Sequence, residues 1–303
     1  MIDYLYIFIY KIFYFLVKFT PKVIMNKILK GMAFFAYNWS DSHRHIIEQN
    51  LNIAFTDMKK QERIRVGKHA YFNLLKNISG FIEREDYPKE KILEKVTFVN
   101  EEAFKQAIKD NRKIIMITAH YGNWELIATA ITIKFGIKMS AVGREMDSKP
   151  MQNILKKSRE KFDIELINKR GALKGLIRAL NQNRVLGLLV DQNIKPSKGG
   201  IEVSFFNHKA TQTPSPAILA RKFNALIIPA FITTDDYENY TITFDKTIKP
   251  IISEDSTKDI AIMTQLQADS IQRAIENKPD EWFWMHKRWK TFYPDIYRFK
   301  LTE

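Results

Sequence analysis

A histidine and a glutamate five positions apart carry the clearest chemical signal in this sequence. His120 follows the apolar run 114–117, and Glu125 precedes a helical pattern over 126–134. On one continuous helix, two residues with this spacing would point roughly 140° apart. With the imidazole on a loop before the helix and the carboxylate in its first turn, the two side chains can converge. A carboxylate bonded to one ring nitrogen fixes the tautomer and leaves the other nitrogen free to accept a proton.

This pair is half of a catalytic triad, and the loop contains no protein nucleophile. The nucleophile can then be a substrate hydroxyl, which His120 deprotonates while Glu125 orients the ring. The alternative is a structural histidine before a helix, with Glu125 capping nearby amides, and the spacing alone favours neither interpretation. Gly122 and Asn123 are candidates for an oxyanion site, because backbone amides without partners gather at a helix start.

The composition restricts the class of protein. A chain of 303 residues can bury one sizeable α/β core with a helical appendage. The net charge of +14 favours phosphates, anionic lipid or an acidic protein partner, and it also fits nucleic acid. The absence of cysteine excludes a disulfide framework, a thiolate metal site and a cysteine acyl-enzyme. The histidines have no metal-ligand spacing, and the chemistry above requires neither a metal nor a cofactor.

Residues 1–20 are predicted to be a membrane anchor or an interfacial helix. They are almost wholly apolar and rich in aromatics, without the basic start or cleavage site of a signal peptide. The segment is just long enough to span a bilayer, but Lys11 at mid-span would cost about 2.5–3.5 kcal/mol. A helix lying in the interface and an ordinary buried helix are the alternatives. Lysines follow the segment, so the body of the protein is expected in the cytoplasm.

The remaining chain, 21–303, is predicted to be one catalytic domain with a helical part, 21–94, and an α/β core, 95–303. Several strands of the core are apolar runs, as expected of a mixed, mostly parallel sheet covered by helices. The predicted strands cover 97–99, 114–118, 138–142, 163–167, 185–190, 201–205, 225–232 and 240–244. The predicted helices of the core cover 101–109, 123–134, 150–161, 171–182 and 214–223. In the helical part, one helix is capped by Asp41 or Ser42, and another runs from about 59 to 85.

Three polar residues follow strands of the predicted sheet, where ligands of α/β proteins usually bind. Arg144 comes after strand 138–142, and Asp191 with Gln192 comes after the apolar part of strand 185–190. A carboxylate at Asp191 can bind acceptor hydroxyls or hold an arginine in place. The alternative for Arg144 is a solvated loop residue.

The loop around His120 resembles the signature of the late acyltransferases of lipid A biosynthesis, the lauroyl and myristoyl transferases of Gram-negative inner membranes. The resemblance rests on an apolar strand followed by His120-Tyr-Gly-Asn-Trp-Glu125. Further similar blocks lie at 44–51, 142–150, 168–192, 199–221 and 279–290. After Asp191-Gln192 the family often has another acidic residue and a glycine. This chain has Asn-Ile-Lys-Pro at 193–196, so its acceptor site is expected to be built differently.

The resemblance implies a fold like that of glycerolipid acyltransferases and a fatty acyl transfer from acyl-acyl carrier protein. The implied acceptor is a Kdo-linked lipid A precursor, and the implied location is the cytoplasmic face of the bacterial inner membrane, in contact with its lipid. Arg144, Arg170, Asp191 and Gln192 lie in these blocks, and Arg159 stands where the family has a functionally important arginine. All five are expected to bind substrate. For Arg159 the alternative is a cation that stabilises a helix C-terminus. A lysophospholipid, a glycolipid or an aminolipid is the alternative acceptor.

The block 279–290 interleaves Trp and Phe with Lys and Arg. This pattern is typical of a membrane interface and would equally suit stacking on single-stranded nucleic acid. Its similarity to the family's C-terminal pattern favours the membrane, so no nucleic-acid partner is expected. A basic, membrane-attached nucleic-acid-binding protein is the alternative from a different class. The sequence has no Gly-x-Ser-x-Gly elbow, Walker loop or Gly-x-Gly-x-x-Gly motif, which argues against a serine hydrolase, a P-loop enzyme and a dinucleotide enzyme.

Overall fold

The computed structural model describes residues 2–299, and a seven-stranded sheet with helices on both faces forms its centre. The helices are α1 Ile2–Phe19, α2 Lys22–Trp39, α3 Asp41–Ala54, α4 Lys60–Arg84, α5 Lys89–Leu93, α6 Glu102–Lys109, α7 Trp124–Phe135, α8 Lys149–Glu160, α9 Ala172–Asn181, α10 Ser215–Phe223 and α11 Ser256–Asn277. The strands are β1 Val96–Val99, β2 Ile114–Thr118, β3 Met139–Gly143, β4 Ile164–Asn168, β5 Val185–Leu189, β6 Ile201–Phe205, β7 His208–Gln212, β8 Leu226–Thr233 and β9 Tyr240–Phe244.

The strand order in the sheet is β1-β9-β8-β2-β5-β3-β4. Neighbouring strands are parallel except for β8 and β9, which are antiparallel. The predicted α/β fold with a mixed, mostly parallel sheet is therefore confirmed. Strands β6 and β7 form a separate antiparallel hairpin, and the sequence analysis predicted only the first of them.

Strand β2 is buried along its whole length and divides its side chains between two cores. Ile115 and Ile117 pack into one cluster, and Ile114 and Met116 pack into the other. Alternate residues of a strand point to opposite faces, so a strand covered on both sides must be apolar throughout. This explains why the run before His120 shows no polar alternation.

Helices α1 to α5 precede the first strand of the sheet. Helix α4 has 25 residues and carries α1, α2 and α3 on its surface. Among residues 2–299, no helix is both long enough and apolar enough to cross a bilayer. The membrane role of residues 1–20 and the boundaries of the domain remain predictions.

The tryptophans of the C-terminal block are inside the protein. Trp282, Trp284 and Trp289 are at most 1% exposed, and Arg288 between them is fully buried. The prediction of an interfacial surface at 279–290 is wrong, because these rings fill the space beside the hairpin of β6 and β7. Trp289 illustrates this position, since its Nε1–H donates to the carbonyl of Phe205 at 3.3 Å. The nucleic-acid alternative loses its stacking surface for the same reason.

Candidate active site

The pairing of β2 with β5 creates the site. The two strands are parallel neighbours, and Thr118 pairs with Leu189 at their carboxyl ends. The ladder continues one step further, where the Val190 amide donates to the Thr118 carbonyl at 3.1 Å. His120 and Asp191 follow the ends of these two strands, so they meet at one edge of the sheet. This edge is the usual position of ligand sites in α/β folds.

Asp191 holds the imidazole of His120. Nδ1 of His120 lies 2.8 Å from Oδ1 of Asp191, and the His120 amide donates to Oδ2 at 3.0 Å. Nε1–H of Trp282 also donates to Oδ2, at 2.9 Å. An ionised carboxylate only accepts hydrogen bonds, so Nδ1 carries the proton and Nε2 remains the basic nitrogen.

This geometry corrects two expectations from the sequence. The carboxylate on the ring of His120 belongs to Asp191 and not to Glu125. Asp191 is 3% exposed and both of its oxygens accept bonds from protein groups, so it has no exposed oxygen for an acceptor hydroxyl. The sequence could not show this, because the two strand ends that meet are about 70 residues apart along the chain.

The charges of the pair are mutually stabilising. Burial lowers the pKa of His120, but the charge and hydrogen bond of Asp191, with a smaller contribution from Glu125, outweigh it and raise that pKa. Burial also opposes ionisation of Asp191, yet its hydrogen bonds and the His120 charge hold its pKa far below the usual range. The structure thus favours an imidazolium next to a carboxylate, which is the charge state that follows proton abstraction.

Glu125 is paired with Arg159 instead. Nη2 of Arg159 donates to both carboxylate oxygens, at 2.9 and 3.1 Å. Arg159, which was expected to bind substrate, therefore contacts a carboxylate of the same cavity. Glu125 and His120 line the same cavity, so the two residues of the loop motif share a site although the structure records no hydrogen bond between them among the described residues.

The cavity has a volume of about 260 Å³. Most of its lining is apolar, and the apolar members are Phe81, Ile92, Trp124, Ala128, Ala141, Val142, Leu155, Phe162, Ile164 and Leu189. Three arginines, Arg84, Arg144 and Arg159, line it as well. A narrow apolar space beside a base and several cations suits one hydrocarbon chain whose reacting end carries an anionic or polar group.

The other predicted binding residues differ in their position. Arg144 lines the cavity but is exposed, and it pairs with Asp147 at 3.1 Å. Arg170 is exposed in the loop after β4 and does not line this cavity, so the structure does not bring it to the site. Gln192 lies beside the ring, with its Nε2 3.5 Å from Nε2 of His120.

Both backbone polar groups of Gly122 form hydrogen bonds within the protein, so Gly122 is not part of the predicted oxyanion site. Its amide donates to the carbonyl of Glu281 at 2.9 Å, and its own carbonyl accepts from Asn77 Nδ2 at 2.8 Å. Its φ is +55°, and an added Cβ would lie 1.9 Å from the carbonyl oxygen of Ile232. Only glycine fits here, because both the left-handed backbone and the close approach exclude a side chain.

Asn123 caps α7, since its side chain accepts from the Leu126 amide at 3.3 Å. Arg84 donates to the same oxygen at 3.3 Å. The Leu126 amide is thus occupied, so the two amides before it, those of Trp124 and Glu125, remain the candidates for an oxyanion site.

Two supporting residues came from a block that the sequence analysis had assigned to the surface. Trp282 bonds to Asp191, and His286 accepts at Nε2 from the Asn193 amide at 2.9 Å. Burial lowers the pKa of His286 to about 4, so it is neutral and holds the chain that follows Asp191. Spacing alone cannot distinguish tryptophans that hold an active-site loop from tryptophans that face lipid.

No group of three or more potential metal-binding side chains occurs within 2–299.

A family model described as bacterial lipid A biosynthesis acyltransferase matches residues 1–291. The chain belongs to this family. A lipid A biosynthesis lauroyltransferase of Escherichia coli is 21% identical over 89% of this chain and 87% of the relative. A lipid A biosynthesis myristoyltransferase of the same organism is 21% identical over 91% of this chain and 84% of the relative. A phosphatidylinositol mannoside acyltransferase of Mycobacterium tuberculosis is 22% identical over 58% of this chain and 54% of the relative.

Proposed function

We propose that this lipid A acyltransferase family member moves a fatty acyl chain from acyl-acyl carrier protein to a hydroxyl of a Kdo-linked lipid A precursor. The reaction would take place at the cytoplasmic face of the bacterial inner membrane. The observation that carries the proposal is the hydrogen bond between His120 and Asp191 beside a mostly apolar cavity. It provides an oriented base next to a space for an acyl chain, in a protein without cysteine.

In the proposed reaction, Nε2 of His120 takes the proton of the acceptor hydroxyl as its oxygen attacks the thioester carbonyl carbon. Asp191 stabilises the imidazolium that forms. The carbon–sulfur bond then breaks, and the leaving thiolate takes the proton from His120. General-base assistance contributes roughly 10²–10⁴-fold to such a step, and the positioning of two large substrates contributes more.

Glu125 has a different role in this mechanism from the one expected, whereas Arg159 keeps its expected role beside the substrate. Their ion pair lies on the wall of the cavity and not on the ring, so we assign them to substrate positioning. Glu125 also adds a negative charge that helps to raise the pKa of His120 after the larger effects of burial and Asp191. Both residues thus support the reaction without exchanging its proton.

The acidic donor and the phosphorylated acceptor are consistent with the charge of the molecule. The net charge of +14 attracts anionic partners at long range. The cavity of about 260 Å³ is slightly smaller than the roughly 300–1,000 Å³ of typical ligand pockets. A space of this size suits one acyl chain better than a lipid with several chains, so we assign it to the chain being transferred.

The proposal is tested with the purified full-length protein. Acyl-acyl carrier proteins of different chain length are offered with a Kdo-linked lipid A precursor, and the products are identified by mass spectrometry. We expect one added acyl ester with the wild-type protein and none above background with His120→Asn. Mass spectrometry of lipid A from a deletion strain should show the loss of the same chain, and unchanged lipid A would contradict the assignment.

The partial match to phosphatidylinositol mannoside acyltransferases favours a second candidate acceptor, a glycolipid without Kdo. The same assay decides between them when the precursor is replaced by a mannosylated phosphoinositide or a lysophospholipid. Faster acylation of either lipid than of the lipid A precursor would move the assignment to that acceptor and leave the role of His120 unchanged.

A further inference from the structure

A second cavity lies at the opposite end of α4 from the active site. It has a volume of about 430 Å³ and is lined by residues of α2, α3 and α4. Four cations line it, namely Arg44, Lys60, Arg63 and Lys68, and its only acidic lining residue is Glu48. A concave surface with this excess of positive charge favours an anion.

Most of these cations have no neutralising partner. Within residues 2–299, the salt bridges include none for Lys60, Arg63 or Lys68, whereas Arg44 is paired with Asp41. The ammonium of Lys68 instead lies 5.2 Å from the ring centre of Phe34 on α2. The charge in the cavity is therefore available to a ligand.

Arg63 provides the cavity with a cation in a fixed position. Its Nη1 donates to Asn52 and its Nη2 donates to the Thr56 carbonyl at 3.2 Å, so the guanidinium is held in place. Its Nε is buried, so only the remaining N–H groups of Nη1 and Nη2 can serve a ligand of the cavity. A phosphate oxygen is an acceptor that a guanidinium binds well.

The surface next to this cavity is apolar. Phe34, Phe35 and Trp39 of α2 are 50%, 68% and 87% exposed. Lys68 connects the two features, because it lines the cavity and lies against the ring of Phe34. Aromatic side chains beside a cationic pocket match a lipid, whose acyl chains and phosphate are joined in one molecule.

The cavity is separate from the active site. Arg63 lines the cationic cavity, and Phe81, on the same helix, lines the cavity that contains His120. A rise of 1.5 Å per residue along an α-helix puts these two positions roughly 27 Å apart.

We propose that the cavity between α2, α3 and α4 binds the phosphate of an anionic membrane lipid while the exposed aromatics of α2 enter the lipid layer. The binding is independent of acyl transfer and can be measured without substrate turnover. The phosphate is that of a bilayer phospholipid, because this cavity lies roughly 27 Å from the active-site cavity along α4. The experiment includes the acceptor lipid as the competing source.

The test compares two double variants of the full-length protein that lose the same charge. Lys60→Gln/Lys68→Gln removes two cations of the cavity that form no salt bridge within residues 2–299. Lys109→Gln/Lys222→Gln removes two exposed lysines on α6 and α10 and serves as the control. Binding is measured by flotation with vesicles of phosphatidylcholine, alone or containing phosphatidylglycerol or the lipid A precursor.

We expect the cavity variant to bind vesicles containing phosphatidylglycerol about tenfold more weakly than the control, since each lysine near an anionic surface contributes substantially to attachment. A loss confined to vesicles with the lipid A precursor would assign the phosphate to the acceptor and would overturn the bilayer phospholipid as the occupant. Equal binding of the two double variants to both anionic vesicles would overturn the proposal. Loss of acyl carrier protein binding with normal vesicle binding would also overturn it, in favour of a protein partner. Phe35→Ser/Trp39→Ser should weaken binding to all three kinds of vesicle. Unchanged binding would exclude the entry of the α2 aromatics into the lipid layer.

Discussion

The two walls of the active-site cavity are built differently. On the side of β2 and β5, Asp191 is buried and bonded to three protein donors, two of them from His120 and one from Trp282. On the other side, α8 has no buried residue, and Arg159 reaches Glu125 through partly exposed side chains. The base is thus fixed before substrate arrives, whereas the opposite wall can adjust to a chain that enters.

The ion pair of His120 with Asp191 should also contribute more to stability than the pair of Glu125 with Arg159. Removing one partner of a buried pair costs roughly 3–5 kcal/mol, because a buried charge is left behind. A partly exposed pair such as Glu125 with Arg159 contributes about 1 kcal/mol or less. Mutations on the two walls should therefore have effects of different size and kind.

Replacement of His120 should give the largest effect. His120→Asn retains a side-chain donor for Asp191 but no base, and His120→Ala removes both. We expect both variants to lose at least roughly 10²–10⁴-fold in kcat. Thermal unfolding should separate them, because only His120→Ala removes the side-chain donor at residue 120 and leaves Trp282 as the remaining side-chain donor to Asp191. Substantial turnover by either variant would exclude His120 as the base.

Asp191→Asn should follow, with a loss in kcat of about 100-fold or more, since the ring loses its orienting charge. In the wild type we expect activity to rise with pH through a His120 pKa above the ordinary value of about 6.5. Removal of the Asp191 charge lowers that pKa, so the acidic limb of the kcat/KM profile should move to lower pH. An unshifted limb would show that another group controls the profile.

Glu125→Gln should cost less than Asp191→Asn, about tenfold in kcat/KM, because it breaks a pair on the wall and leaves the ring contact intact. Arg159→Gln should have a similar cost, and the double variant should be little worse than either single variant, since coupled residues are not additive. If Glu125→Gln proved as damaging as Asp191→Asn, Glu125 would take a direct part in the proton transfer.

Ala128→Leu should change which acyl chain is transferred. Ala128 lines the cavity, and the added carbon atoms shorten the space for the chain. Competition between acyl-acyl carrier proteins of two lengths should then favour the shorter donor by several-fold while unfolding remains near wild type. An unaltered product ratio would locate the acyl chain elsewhere.

Arg144→Gln should have the smallest effect, at most a few-fold in KM. The side chain is exposed and its only recorded ion pair within residues 2–299 is with Asp147. Steady-state kinetics with the acceptor lipid provide the measurement. A loss comparable to that of Arg159→Gln would mean that the exposed wall closes on substrate through Arg144.

The parts of the fold that depend on local sequence were predictable. The apolar run of β2, the loop with His120 and the long helix α4 all follow from patterns within a few tens of residues. The partner of His120 was not predictable, because it depends on which strands are neighbours in the sheet. Glu125 is close to His120 in the sequence, whereas Asp191 is close to His120 in the folded protein.

Two other differences between the predictions and the structure also arise from packing that the local sequence does not define. Helix α11 was not predicted, although Asp255 caps it by accepting from the Lys258 amide and Met263 and Ile271 are buried. Its many polar residues obscure the apolar face, which only packing against β6 and β8 defines. The C-terminal tryptophans show that an aromatic and basic pattern does not determine whether the rings face lipid or the interior.

The hydrogen bond from Asn77 to the carbonyl of Gly122 has a geometric consequence. It ties the loop that carries the base to α4, the helix whose other end lines the cationic cavity. Helices α1, α2 and α3 pack on the same helix, so their packing bears on the position of this loop. A displacement of α4 against the sheet would change the distance between His120 and Asp191, although these helices contribute no atom to that hydrogen bond.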